Sequence, residues 1–140
     1  MMHKRKPVAR FLLFLALLFA AFAVCLRPTA IRLTAQNKSY PPKTAVLPCT
    51  LKNASLQTVT YGKAFTVEQL VDGRWVKLDE LKRGVRFELG IETLLPFSSA
   101  ALSFPISIYA SFDHAGDYRV VYEVRTKTST YPLFCPFSVR

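Results

Sequence analysis

The sequence predicts an all-β fold, an antiparallel sandwich of about seven or eight short strands preceded by one apolar helical segment. Three observations carry this. Beyond residue 30, apolar residues recur at every second position, turn-forming residues interrupt those runs at short intervals, and no later stretch has the period of a long amphipathic helix. The chain has 140 residues, of which 16, residues 11–26, form one unbroken apolar block. Roughly 110 residues are then left to fold, enough for one modest core but not for two domains and a cleft between them. Large multidomain enzymes are excluded.

The N-terminal element comes first. Lys4, Arg5, Lys6 and Arg10 precede the apolar block, which is the layout of an export signal. The basic flank stays with cytoplasmic anions, so the body is expected to face outward, secreted or tethered to the outer face of the cytoplasmic membrane. At about 1.5 Å per residue the block spans roughly 24 Å, short of the roughly 30 Å hydrocarbon core, which favours a cleaved signal peptide over a permanent span. Ala21, Phe22 and Ala23 offer the small-x-small pattern of a cleavage site, and a second possible site ends at Ala30. Cys25 adds a third reading, lipidation as in bacterial lipoproteins, against which Phe22 and Val24 stand where Leu and a small residue are usual. Signal peptide, retained anchor and lipid anchor therefore stay open for residues 1–30, and residues 31–140 are assigned to the folded domain.

The strands follow in order. A short strand is expected at 31–35, and Leu47, Cys49 and Leu51 form the inward set of the next. Asn53, Ala54 and Ser55 make a polar break. Residues 65–78 read as a hairpin around Asp72-Gly73, a pair suited to a two-residue turn that needs positive φ. Trp75, just past that turn, is expected to cap the core. Residues 78–84 fit one helical turn or a loop equally well, and 85–95 read as a further strand. Leu102, Phe104, Ile106 and Ile108 alternate with polar residues and Pro105, which predicts an edge or bulged strand. Tyr118, Val120, Tyr122 and Val124 give the clearest inward row, and Leu133, Cys135, Phe137 and Val139 repeat it beside Pro132 and Pro136, an edge candidate.

The formal charge of +10 divides unevenly. From Ile31 onward seven Lys and seven Arg stand against nine acidic residues, leaving +5, with no run of three basic residues. That is a solvated basic surface rather than a nucleic-acid footprint, and no nucleic-acid partner is expected.

Asp113-His114-Ala115-Gly116-Asp117-Tyr118-Arg119-Val120 resembles the tyrosine corner of immunoglobulin domains, in which the Tyr hydroxyl, here that of Tyr118, returns to nearby backbone. Together with Asn53 and Ser55, Tyr61-Gly62, Phe65, Glu68, Gly73 with Trp75, and Leu95-Pro96, the body resembles the bacterial immunoglobulin-like domains of secreted and membrane-tethered Gram-positive proteins. The resemblance runs from about residue 31 to 140. It implies an immunoglobulin-like sandwich in a cell-envelope setting and no particular chemistry.

Cys49 and Cys135 both fall on inward sets, and export would place them where thiols oxidise, so they form a disulfide candidate; two buried free thiols are the alternative. No catalytic, metal or cofactor constellation is present in the pattern. His114 is the one histidine of the body and lies in a turn, no Gly-x-Ser-x-Gly elbow or phosphate-binding glycine loop occurs, and the acidic residues lack calcium-loop spacing. Asn37-Lys38-Ser39 and Asn53-Ala54-Ser55 match glycosylation sequons by chance. Trp75 is a possible ligand contact on an aromatic sheet face. The chain is thus expected to be a non-catalytic extracytoplasmic module for protein interaction or spacing, with the membrane as a partner of its N-terminal segment and a protein partner in the envelope. The alternative is a lipoprotein or a cell-wall-carbohydrate-binding accessory domain.

Overall fold

The computed structural model describes residues 6–25, 30–81, 87 and 90–140. Among them are one helix, α1 (Lys6–Cys25), and nine strands: β1 (Ile31–Ala35), β2 (Ser39–Tyr40), β3 (Leu47–Asn53), β4 (Val59–Val71), β5 (Arg74–Lys77), β6 (Glu92–Leu94), β7 (Ser99–Phe104), β8 (Gly116–Arg125) and β9 (Thr130–Val139). The strands form two facing sheets, one ordered β1-β3-β7 and the other β2-β9-β8-β4-β5 with β6 also on β4. This is the antiparallel sandwich that the alternation predicts, of the immunoglobulin-like kind that the resemblance implies.

Pairing is antiparallel except at one place. After β1, which lies beside β3, the chain crosses to the other sheet, where β2 runs parallel to the end of β9. The inward rows meet between the sheets: Leu47, Cys49 and Leu51 of β3 face Val120, Tyr122 and Val124 of β8 and Leu133, Cys135, Phe137 and Val139 of β9, all buried. Rings tie the layers together. Phe65 packs edge-on against Phe104 and Tyr109, Phe104 against Tyr122, and Tyr118 lies stacked on Phe137.

The prolines of β9 sit where they cost no ladder bond. Ser138 and Arg140 turn their amides away from β8, donating to Lys38 and Tyr40 carbonyls, and Pro132 and Pro136 share that parity. In β7, by contrast, the strand stops at Phe104. Pro105 starts a 3-10 turn over Ile106–Ile108 that buries Ile106, so the extended run expected as far as Ile108 is corrected. The strand expected over 85–95 contracts to β6, part of its range lying outside the described residues, and 78–81 contain no helical turn. Two elements escape the period-two pattern: β2 has only two residues, and the first part of β4, from Val59, is set off by a bulge between Tyr61 and Phe65 that shifts its register against β8. The hairpin turn is as expected, with Asp72 and Gly73 both at positive φ, 49° and 76°.

One buried polar cluster closes the β3 end. Asn53 is wholly buried, and its amide donates to the Gln57 and Leu95 carbonyls at 2.8 and 3.1 Å. Its oxygen accepts from the Ser55 amide and hydroxyl at 3.0 and 2.6 Å. Among the described residues no buried side-chain nitrogen or oxygen lacks a partner. Asn53 cannot carry a glycan in this fold.

Helix α1 exposes apolar side chains all round, with Phe11 63% and Phe19 76% accessible. Among the described residues no helix is long and apolar enough to cross a membrane. The side chain of Cys25, the lipidation candidate, lies outside what the structure describes.

Removing the Asn53 amide takes one partner each from the Gln57 and Leu95 carbonyls and from the Ser55 amide and hydroxyl. Asn53→Ala is expected to lower the unfolding free energy by about 2–4 kcal/mol in urea titrations, whereas Asn37→Ala, at the exposed sequon, should change it by less than about 0.5 kcal/mol. Equal small losses at both positions would contradict the role given to the cluster.

Candidate functional site

The side chains not consumed by the core define the site. Along β4, Phe65 and Val67 point inward, which turns Thr66, Glu68 and Leu70 outward. Register then places the outward residues of neighbouring strands beside them. Glu68 lies opposite Arg119 of β8 and Lys77 of β5, Leu70 opposite Trp75, and Val121 opposite Phe134 of β9. This outer face of the six-stranded sheet carries more apolar surface than a solvent-facing row needs. Phe134 is 48% exposed and Leu70 37%.

Arg119 organises the face. Its guanidinium lies over the Trp75 ring at 4.4 Å and over the Phe134 ring at 4.3 Å, and it meets Glu68 at 2.6 Å. Rings on two sides and a carboxylate on a third leave this cation largely shielded, so ring stacking and the ion pair reinforce one another. Trp75 therefore does not cap the core, as its place just past the hairpin turn led one to expect. The hairpin register puts it on the outer face, half-buried beneath Arg119.

At the other end of the same face the β4 bulge opens a cavity of about 490 Å³, lined by Tyr61, Gly62, Ile91, Glu123 and Arg125 among others. Two buried tyrosines hold the bulge in shape: Tyr122 donates its hydroxyl to the Gly62 carbonyl and Tyr109 to the Phe65 carbonyl. Tyr61 donates to Glu92 at 2.9 Å. Burial pushes all three phenols up from their ordinary range, for Tyr61 with the Glu92 bond adding to it, so they remain protonated donors. The arrangement can orient a backbone segment, but it pairs no nucleophile with a base.

The remaining singled-out residues fall elsewhere. Tyr118 is buried, with its ring 3.0 Å from where a Cβ on Gly116 would stand, a tight approach that a side chain there could have only if the ring gave way. Its hydroxyl accepts a 3.4 Å hydrogen bond from the Gln69 amide on β4. Cys49 and Cys135 face each other across the core, with Cys135 on the opposite face of β9 from its neighbour Phe134. His114 lies exposed in the loop before β8. Among the described residues no group of three or more His, Cys, Asp or Glu is placed to hold a metal ion. Sequence reasoning missed the Arg119 cluster, although one signal pointed to it: Val121 and Phe134 are apolar at positions whose parity calls for polar residues.

Comparison with known proteins gives a family and a set of distant folds. A family model described as a bacterial Ig-like domain matches residues 27–134. No curated protein matches the chain. Among solved structures, the ASH/PapD-like domain 7 of human CEP192 is 15% identical, covering 81% of this chain and 87% of that one with a TM-score of 0.39. The archaellum periplasmic stator protein FlaG from Sulfolobus acidocaldarius is 13% identical, covering 77% and 98% with a TM-score of 0.39. The alkylpurine DNA glycosylase AlkC of Pseudomonas fluorescens is 10% identical over 79% of this chain and 30% of its own, with a TM-score of 0.35.

Since Trp75 is the single tryptophan, its fluorescence reports this face directly. Arg119→Ala should raise iodide quenching of Trp75 markedly. Trp75→Ala should cost about 0.5–2 kcal/mol of stability rather than the roughly 3–5 kcal/mol of an aromatic removed from a core. Unchanged quenching, or a core-sized loss, would contradict the outward placement.

Proposed function

The chain belongs to the bacterial Ig-like domain family, and from that premise we propose that it is a non-catalytic module of the cell envelope, carried out of the cytosol by its N-terminal segment, that contacts a protein partner through the outer face of the six-stranded sheet. The observation that carries this reading is the Trp75, Arg119 and Phe134 stack set among exposed Leu70 and half-exposed Val121. Aromatic residues and arginine are the types enriched at the centres of protein interfaces, and a rigid pleated face presents them without an ordering cost. A sugar platform is less well supported, because a pyranose needs a bare ring face and one face of Trp75 already carries Arg119.

Export is supported by the N-terminal segment. Basic residues followed by a helix whose described side chains are apolar on every side suit a translocation channel or lipid rather than water. Whether the segment is removed, retained or lipidated at Cys25 is a separate question of processing, read from the N-terminus and mass of the mature product.

Two measurements test the proposal. Residues 1–30 fused to an alkaline phosphatase lacking its own signal should give activity outside the cytosol; a fusion inactive although produced would contradict export. A photo-crosslinking amino acid at Phe134 should yield a discrete protein adduct in cells, while the same group at Thr50, on the outer face of the other sheet, should not. Equal labelling at both positions, or none at Phe134, would overturn the assignment of the face.

A further inference from the structure

Among the described residues, a pair of potentially reactive groups that the proposed function leaves unused is buried at the centre of the sandwich. Cys49 belongs to β3 in one sheet and Cys135 to β9 in the other, and their sulfurs stand 3.7 Å apart. They are 86 residues apart in sequence. Both side chains are buried, Cys135 completely, among Leu51, Val120 and other apolar neighbours. A disulfide needs its sulfurs at about 2 Å, a shift that side-chain torsions of two facing cysteines can supply without moving the strands through more than small adjustments. The sulfurs already point at one another as donor and acceptor, which distinguishes the pair from two small apolar residues that happen to share a core.

We propose that Cys49 and Cys135 are a disulfide-forming pair that joins the two sheets covalently when an external disulfide serves as oxidant. The exchange balances. One cysteine, as thiolate, attacks a sulfur of the external disulfide and releases one thiol; the second, having lost its proton, attacks the mixed disulfide and releases the other. The two cysteines together lose two electrons and two protons, and the external disulfide becomes two thiols. Both sulfurs are buried between the sheets, out of reach of an external disulfide in the closed fold, so closure belongs to folding or to local opening.

Closing a loop of this length restricts the unfolded chain strongly, so the bond acts on stability. The test uses the full chain in detergent micelles with Cys25→Ser, which removes the competing thiol, refolded in a glutathione redox buffer so that access does not limit the reaction. The expected product, after denaturation and alkylation without reductant, is 2 Da lighter than the dithiol, carries no alkyl group on Cys49 or Cys135, and yields one peptide pair linking them. Its Tm should exceed that of the reduced protein by on the order of 10 °C, and the difference should vanish with dithiothreitol and in Cys49→Ala/Cys135→Ala. Two alkylated cysteines, glutathione adducts in place of the link, or equal Tm values for linked and reduced protein would each overturn the proposal. The chemistry is measured on purified protein, so its outcome is distinct from that of the export test.

Discussion

Water is excluded from one space in this molecule, the gap between two sheets, and the division of side chains into those that enter it and those that do not determines the rest. In β8, Tyr118, Val120, Tyr122 and Val124 enter; Arg119, Val121 and Glu123 cannot, because successive side chains of a strand leave on opposite faces. The same division along β4 and β9 leaves Glu68, Leu70 and Phe134 outside. The outer face is thus the complement of the core, and the Arg119 cluster exists because strands in fixed register bring their outward residues together.

Polar groups that the core cannot avoid are handled locally. The β4 bulge breaks the ladder at Gly62 to Ala64, and buried tyrosine hydroxyls take up the carbonyls on either side of it. At the β3 end, Asn53 ties the β3–β4 connection to the segment after β6 by donating to the Gln57 and Leu95 carbonyls. Both devices secure irregular backbone at the rim of the sandwich, and the first shapes the cavity that continues the outer face. Irregular backbone held in this way can serve recognition because it does not relax when a partner arrives.

Much of the fold was legible because several strands are long enough to show their period. The rows of β3, β8 and β9 stand as their alternation predicts, and Asp72-Gly73 marks its turn correctly. What was hidden has physical reasons. Two residues of β2 cannot display a period, and the bulge in β4 interrupts one. Pro105 ends a strand whose apolar spacing continues into a 3-10 turn, so spacing alone overstates its length. Trp75 lies outward although its place just past the turn suits a cap on the core, because strand parity decides its face. Counting from inward Phe65 and Val67 through a two-residue turn pairs Trp75 with outward Leu70, which was readable from the sequence. The candidate face was less legible, since a cation between two rings is assembled by β5, β8 and β9 together, and only the misplaced parity of Val121 and Phe134 betrayed it.

The division of faces is tested most directly by two neighbouring residues of one type. Val120 is fully buried and Val121 only half-buried on the opposite face of β8. Urea unfolding of Val120→Ala should show a loss of about 2 kcal/mol or more, and of Val121→Ala less than about 1 kcal/mol. Equal losses, or the larger loss at Val121, would mean that the sheet does not turn these faces as described, and the interaction face would fall with the core.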